Sequence, residues 1–196
     1  MFSMKNANNL PIILFASQQD WEDWLKEHHA DTKGIWLKLA KKGTGIFSID
    51  YQQALEIALC YGWIDGQKAS YDEQHWLQKF TPRGPKSIWS KINCDKATTL
   101  IVEGRMQPAG MLQVERAKAD GRWDAAYESQ SKITVPADLQ SELDKNQQAK
   151  DFFATLDSRN RYAILWRIQT AKKPETRSVR IQKFVAMLAQ NQKLHT

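Results

Sequence analysis

Cysteine is scarce in this chain, and long apolar runs are missing. The two cysteines, Cys60 and Cys94, are too few for a disulfide framework and lack CxxC or Cys/His spacing. No apolar stretch approaches the roughly 20 residues that a transmembrane helix needs. The apolar run at residues 10–16 is short for a signal peptide and is not followed by a small-residue cleavage site. We therefore expect a cytoplasmic protein with reduced thiols.

The common signatures of cofactor-binding and hydrolytic proteins are also missing. The sequence contains no GxGxxG, no Walker sequence, no GxSxG and no HExxH. His28 and His29 are adjacent, so on a helix their rings point about 100° apart and cannot easily chelate one metal ion. An interaction of one of these rings with the last carbonyls of a helix is the favoured interpretation. We expect no metal site and no cofactor.

Positive charge is in excess and is unevenly distributed. The formal net charge is +6, from 28 Lys and Arg against 22 Asp and Glu. Residues 1–72 hold 7 cations against 9 acids, residues 73–132 hold 10 against 7, and residues 133–196 hold 11 against 6. Within residues 159–183 there are eight cations and a single acid, Glu175. Such a segment forms either a solvated helix surface or a surface for an anionic partner.

The spacing of apolar residues predicts an α+β fold. Four short strand patterns occupy residues 12–15, 34–41, 63–68 and 75–80. The first of them has the continuous apolar run of a buried strand. Helices are predicted to begin after Ser17 and Asp50, because each is followed three residues later by a capping partner. The sequence therefore predicts a small sheet of about four strands packed by helices.

After Pro82 the strand signals stop and helical patterns follow. One helix is expected from Asn93 or Asp95 to Gly104, and a second over residues 111–122. Four shorter helices are predicted at residues 136–143, 147–156, 158–171 and 174–190. The polar segment 127–134 is the best linker candidate. We predict an α+β domain at residues 1–132 and an all-helical domain at residues 133–196.

Residues 79–93, here called the basic loop, combine four cations, three hydroxyl side chains and a tryptophan around helix-breaking prolines. The predicted anion-binding residues of this loop are Arg83, Lys86, Ser87, Ser90 and Lys91. The arginine offers a planar fork for phosphate or carboxylate, the lysines offer point charges, and the serines offer neutral donors. The first-turn amides of the following helix would add further donors. This combination is typical of a phosphate site.

Residues 172–180, here called the basic tail, form a second cluster of cations. Lys172 and Lys173 precede Pro174 at the start of a predicted helix, and Arg177 and Arg180 follow it. Cations at a helix N-terminus oppose the helix dipole. A local rule broken in this way often marks a functional site. We therefore predict that these four cations also bind an anion.

Aromatic residues are unusually frequent, with eight tryptophans. Trp36, Trp63, Trp76 and Trp89 fall in or beside the predicted strands and the basic loop, where they could stack on a base or sugar. Packing in the core is the favoured interpretation for most of them. Trp89, inside the basic loop, is the best candidate for an exposed stacking surface.

Two residues are weak candidates for catalysis. Asp65 lies between an aromatic strand and Gly66, a place that suits a general base or a hydrogen-bond acceptor. A turn-capping role for Asp65 is the favoured alternative, since Asp-Gly is a common turn pair. Cys60 would be a nucleophile only if a cation lowered its pKa, and a buried structural thiol is the favoured interpretation.

Several segments carry a resemblance to a known family. They are ALCYGWIDGQ at residues 58–67, TPRGPKSIWSKIN at residues 81–93 and AKKPETRSVRI at residues 171–181. Together they resemble the YdeI/OmpD-associated family, also described as bacteriocin-protection proteins, and WEDWLKEHH, GIWLKLAKK and VPADLQSEL fit its pattern in the same order. The resemblance spans nearly the whole chain. It implies a compact α/β part, a helical C-terminal region and a role in tolerance of antimicrobial peptides or envelope stress.

Two functional classes remain open from the sequence. The first is a binding module for a phosphorylated or polyanionic partner, including nucleic acid, although no known recognition motif is present. The second is an enzyme acting on a small anionic substrate, with Arg83 and Lys86 binding the anion and Asp65 as the base. We favour the first class. A protein-interaction role in stress tolerance is a third possibility, for which the sequence shows no contact surface.

Overall fold

A computed structural model describes residues 10–195 and confirms the α+β class. The chain forms two compact units. The first contains the described residues up to Ile88 together with Asn93–Asp124. The second contains Trp89–Ile92 together with the described residues from Ala125 onward. The predicted domain boundary near residue 132 stays a prediction.

A mixed four-stranded sheet forms the centre of the first unit. Its strands are β1 (Ile12–Ile13), β2 (Ile35–Ala40), β3 (Trp63–Ser70) and β4 (His75–Pro82). The order across the sheet is β1-β2-β4-β3, with β1 parallel to β2 and the other pairs antiparallel. The first strand was expected to be buried, and this expectation is wrong, since Ile12 is 37% exposed. A two-residue strand at the sheet edge has a neighbour on one side only.

The first four helices of the chain are α1 (Gln18–His28), α2 (Tyr51–Cys60), α3 (Lys91–Val102) and α4 (Pro108–Ala119). The predicted capping boxes at Ser17 and Asp50 are both present and start α1 and α2. The imidazole Nδ1 of His29 lies 2.9 Å from the carbonyl of Leu25, which confirms the predicted position of this ring at a helix end. Local capping chemistry therefore fixes both helices that pack on the sheet.

Aromatic residues hold α1 and α2 to the sheet. Trp21 of α1 is fully buried, and its indole N–H donates to the carbonyl of Ala54 in α2 at 3.1 Å. The Trp21 ring also lies 6.2 Å from the ring of Trp63 and 5.8 Å from that of Phe80. These are edge-to-face or tilted pairs, the arrangements that aromatic rings favour in a core. The packing interpretation is thus confirmed for Trp63.

The next two helices begin earlier than predicted. Helix α3 starts at Lys91 rather than after Asn93 or Asp95, and α4 starts at Pro108 rather than at Met111. In α4 the missed signal is a proline at the first helical position, where its absent N–H costs nothing. In α3 the start follows two backbone hydrogen bonds with Tyr127, which lies far away in the sequence.

Four helices make up most of the second unit: α5 (Ala137–Asp144), α6 (Gln147–Thr155), α7 (Ser158–Gln169) and α8 (Pro174–Ala189). Their positions confirm the four predicted helices to within two residues at each end. Their apolar faces enclose a core that includes Leu139, Phe153, Ile164 and Leu188. Within residues 10–195, no helix has the length and apolar character needed to span a membrane.

Candidate functional site

The guanidinium of Arg83 is used to shape the basic loop. Arg83 is only 6% exposed, its amide donates to the carbonyl of Gly62 at 3.0 Å, and its Nη1 donates to the carbonyl of Ile88 at 3.3 Å. Ser87 also acts within the loop, since its Oγ accepts from the amide of Gly84 at 3.0 Å. Lys86 is exposed. Anion binding by these three residues stays a prediction.

The other end of the basic loop belongs to the second unit. The carbonyl of Trp89 accepts from the amide of Tyr127 at 3.0 Å, and the amide of Lys91 donates back to the carbonyl of Tyr127 at 2.9 Å. Ser90 forms the corresponding parallel bridge. Trp89 is 2% exposed, so the prediction of an exposed stacking surface at this residue is wrong. Pairing with Tyr127 turns this segment inward, a long-range effect that the local sequence does not reveal.

Two cations of the basic tail close the end of α7. Arg177 Nη1 donates to the carbonyl of Ile168 at 2.9 Å, and Arg180 Nη1 donates to the carbonyl of Arg167. Both acceptors lie in the last turn of α7, where a positive charge is favourable. The cations that oppose the dipole of α8 thus satisfy the C-terminus of α7. Lys172 and Lys173 are exposed and remain predicted anion-binding residues.

Asp65 is held in β3 by a tyrosine from α2. The hydroxyl of Tyr51 donates to Asp65 Oδ2 at 2.8 Å, and Asp65 is partly buried. Asp65 therefore lies within the strand as a hydrogen-bond acceptor, directly before the irregularity that begins at Gly66. The catalytic role considered for Asp65 stays a prediction.

Cys60 has the properties of a structural thiol. Both Cys60 and Cys94 are buried and neither forms a disulfide. Burial raises the pKa of the Cys60 thiol to about 11, against an opposing effect of Arg105. A thiol with such a pKa is almost entirely protonated near pH 7, and the thiolate is the nucleophilic form.

Of four depressions found among residues 10–195, the one with the most unbalanced charge lies at one edge of the sheet, where β2 and β3 end and β4 begins. A cleft of about 580 Å³ is lined there by Lys41, Lys42, Lys68, Ala69, Ser70 and Trp76. None of these six residues is acidic. We call this depression the lysine cleft. Its volume lies within the range of small-molecule sites in proteins.

Lys68 and Trp76 are placed together by the pairing of β3 with β4. Ser70 lies opposite Trp76 and Lys68 lies opposite Gln78. Lys68 Nζ is 4.2 Å from the centroid of the Trp76 ring, a cation–π distance. The register shifts between Asp65 and Lys68, and the side-chain amide of Gln78 donates to the carbonyl of Gly66 at 2.9 Å within this bulge. The ammonium of Lys68 is thereby held at the wall of the cleft.

Lys41 and Lys42 follow β2 in a tight turn. Thr44 closes it with its hydroxyl donating to the carbonyl of Lys41 at 2.9 Å. Gly43 and Gly45 have φ of +83° and +72°, a conformation that strongly favours glycine. Lys41 Nζ donates to the carbonyl of Asp72 at 2.9 Å, whereas Lys42 is exposed. One amine of the turn is thus anchored at the neighbouring hairpin.

A second depression adjoins the lysine cleft. Its volume is about 360 Å³, and it shares Lys41, Lys42 and Trp76 with the cleft. Its other walls include the turn at residues 43–46, Ser48 and Tyr51. The Tyr51 and Trp76 rings are 6.2 Å apart. The two depressions therefore extend on either side of a common set of two lysines and one tryptophan.

Two other depressions have charges that are largely paired. One of about 250 Å³ contains the ion pair between Arg177 and Asp138, with Nε to Oδ2 at 2.5 Å. Another of about 290 Å³ contains Glu56, whose carboxylate is 2.8 Å from Lys96 Nζ and 3.8 Å from Arg105 Nη1. Paired charges attract an ionic ligand less strongly than three lysines without an acidic neighbour in the cleft wall.

The lysine cleft was not predicted from the sequence, although two of its parts carry signals there. The segment at residues 41–45 was interpreted only as the turn that ends a strand, and Trp76 only as one of several possible stacking residues. Lys68 carried no signal of its own. The missing information was the strand register, which places residues 41, 68 and 76 at one sheet edge.

Together, the sheet with its packed helices and the helical unit define an α+β protein with a basic cleft at one sheet edge. Residues 13–113 match the model of a domain of unknown function, DUF8412, and residues 132–191 match the model described as Bacteriocin-protection, YdeI or OmpD-Associated. The chain belongs to the DUF8412 family, whose model covers just over half of it, and residues 132–191 are similar to the YdeI/OmpD-associated family. The resemblance drawn from the sequence is thereby confirmed for residues 132–191. No curated protein and no solved structure matches the chain significantly.

Proposed function

We propose that this protein binds an anionic, phosphate-bearing ligand in the lysine cleft. One observation carries the proposal: three lysines and no acid are among the six residues around a 580 Å³ depression. Ammonium groups are common phosphate ligands, and a concave site with one sign of charge concentrates ions of the opposite sign. The hydroxyl of Ser70 supplies a neutral donor in the same wall.

The arrangement of the amines favours binding over a merely solvated surface. Lys68 is positioned by the Trp76 ring and Lys41 by the carbonyl of Asp72. A side chain that is already held loses less conformational entropy when a ligand binds. Lys42 remains exposed and can close on the ligand. We propose a cytoplasmic location and, from the family's printed description, a role in bacteriocin protection to which this binding contributes.

Titration calorimetry with tripolyphosphate tests the proposal. We expect binding by the unaltered protein at low salt and weaker binding as salt is added. Lys42→Ala should weaken binding by about tenfold, since one charge-assisted contact is worth about 1.5 kcal/mol. Lys42 is chosen because it is exposed, so that its loss should leave the fold unchanged.

Lys33→Ala is the matched control. Lys33 is exposed like Lys42 and its loss changes the net charge equally, but it precedes β2 whereas Lys42 follows it. The affinity of the Lys33→Ala variant for tripolyphosphate should equal that of the unaltered protein. An equal loss in both variants, or no binding by the unaltered protein, would rule out the lysine cleft as an anion site.

A further inference from the structure

The second depression, beside the lysine cleft, has aromatic residues in its wall that anion binding alone does not use. Trp76 lines both depressions, and Tyr51 lines the second one. Their ring centroids are 6.2 Å apart, with an angle of 50° between the ring planes. Both residues are partly exposed. Two aromatic rings therefore lie in the depression that Lys41 and Lys42 also line.

Side chains of β3 hold both rings in place. Asp65 Oδ2 accepts from the Tyr51 hydroxyl at 2.8 Å, and Tyr51 is the first residue of α2, which begins with a complete capping box. Lys68 Nζ lies 4.2 Å from the centroid of the Trp76 ring. Trp76 itself belongs to β4, which has a neighbouring strand on each side. Rings that are already positioned lose less conformational entropy when a ligand stacks on them.

The walls of the second depression differ in chemistry from those of the lysine cleft. Its lining residues include the apolar Leu39, Ile46 and Ile49. They also include one acid, Asp50, whose carboxylate accepts from the amide of Gln53 at 2.9 Å in the cap of α2. Phosphate is therefore favoured in the cleft, whose six lining residues include no acid, and a flat uncharged group is favoured in the second depression. The volume of about 360 Å³ lies within the range of small-molecule sites.

A ligand that occupies both depressions must join phosphate to a flat ring. We infer that the protein binds nucleotides, with the phosphates at the three lysines of the cleft and the base against the Trp76 and Tyr51 rings. This inference rests on the proposed anion binding and adds the class of ligand. Stacking on aromatic side chains tolerates different bases, because every base has a π-face. The same chemistry is present in a free nucleotide and in a nucleic-acid single strand.

Titration calorimetry with ATP, tripolyphosphate and a short oligoadenylate, in the absence of divalent cations, tests the inference. ATP and tripolyphosphate share a chain of three phosphates and ATP carries no more negative charge, so tighter binding of ATP reports its nucleoside. We expect ATP to bind about tenfold more tightly than tripolyphosphate. An oligoadenylate that binds more tightly than ATP identifies a single strand as the ligand, and one that binds equally or more weakly identifies the free nucleotide.

Tyr51→Leu should weaken the binding of ATP about fivefold and leave that of tripolyphosphate unchanged, because Tyr51 lines the second depression and the phosphates lie in the cleft. Tyr51→Phe is the matched control. Both variants lose the hydroxyl that donates to Asp65, but Tyr51→Phe keeps a ring and should bind ATP like the unaltered protein. Lys42→Ala should weaken both ligands by a similar factor, since both place phosphate in the cleft.

Three results would show that the nucleotide inference is wrong while anion binding stands. They are equal binding of ATP and tripolyphosphate by the unaltered protein, equal binding of ATP by Tyr51→Leu and Tyr51→Phe, and a loss in Lys42→Ala that affects tripolyphosphate alone. If neither ATP nor tripolyphosphate binds, both proposals are wrong.

Discussion

At the scale of single residues, Arg177 shows how a cation predicted to bind a ligand serves the fold. Its Nε and Nη2 donate to the two carboxylate oxygens of Asp138 at 2.5 and 2.9 Å, and its Nη1 donates to the carbonyl of Ile168. The hydrogen bond from Arg177 lowers the pKa of Asp138, against a smaller opposing effect of burial. All these contacts join α5, α7 and α8 of the second unit.

Arg177→Gln should therefore destabilise the protein by about 1 kcal/mol at pH 7. Because the pKa of Asp138 is lower in the folded state, the stabilisation is present above its unfolded value of about 3.9 and is lost as the pH falls through the folded value. Urea unfolding should thus show a clear difference from the unaltered protein at pH 7 and a smaller one near pH 3. Lys172→Gln, at an exposed cation of the same unit, is the control and should change little. An equal loss at both pH values would contradict this account.

At the scale of secondary-structure elements, helix starts were predictable where the cap is local. Ser17 and Asp50 carry complete capping boxes, and both were identified from the spacing of residues alone. The start of α3 could not be identified in this way. It coincides with backbone hydrogen bonds that join Trp89 and Lys91 to Tyr127, more than thirty residues away in the chain. The same pairing explains why Trp89 is buried although it lies in a loop rich in charged and polar residues. Short-range rules describe neither effect.

The approach of α4 to the end of α2 depends on the lack of a side chain at Gly110. A Cβ atom there would lie 2.6 Å from the carbonyl oxygen of Leu59 and would also clash with that of Cys60. Gly62 is similarly close, with an added Cβ at 2.8 Å from the carbonyl oxygen of Ala109. Two glycines, one on each side, thus allow the backbones to meet.

Gly110→Ala should accordingly destabilise the protein by about 2 kcal/mol through overpacking. At a helix position with open space around it, a change from glycine to alanine would stabilise the protein. A loss of stability in Gly110→Ala would therefore indicate a steric clash. Gly66→Ala is a suitable control, because its Cβ would meet Lys79 at an ordinary 3.6 Å. Denaturant unfolding of both variants provides the measurement. A Gly110→Ala variant as stable as the unaltered protein would show that the helices can separate without cost.

At the scale of the whole molecule, the excess positive charge lies in the second unit. Residues 89–92 and 125–196 hold 13 Lys and Arg against 7 Asp and Glu, whereas the remaining residues hold 15 of each. The lysine cleft therefore lies in a unit without net charge. Its predicted affinity depends on the local grouping of amines, and the excess charge acts on any polyanion regardless of chemistry.

Removing two exposed lysines with Lys172→Ala and Lys173→Ala lowers the net charge from +6 to +4. The variant should leave a sulfonate cation exchanger at lower salt than the unaltered protein, since retention follows the number of charges. A variant with Lys33→Ala and Lys42→Ala should shift by a similar amount, although only one of its positions lies in the cleft. A large difference in elution between the two double variants would show that retention depends on where the lysines lie and contradict its dependence on net charge alone.

The fold class, the strands and most helices could be predicted from periodicity and caps, while the cleft could not. Lys41 and Lys68 are 27 positions apart, and Trp76 is eight positions beyond Lys68. They meet because β4 lies between β2 and β3, with Leu39 and Ser70 on either side of Trp76. No local pattern specifies that order of strands.

The bulge in β3 determines which face of the sheet the later side chains of this strand occupy. Side chains alternate between the two faces of a sheet, so one extra residue moves every later side chain to the opposite face. If the unchanged sequence continued from Asp65 in a regular ladder with no bulge, Lys68 would stand opposite Leu77 and share the face of Lys38, away from Trp76. The bulge between Asp65 and Lys68 therefore keeps the amine of Lys68 on the face of the sheet that carries Trp76. In this strand, the face that a lysine occupies depends on spacing as much as on residue type.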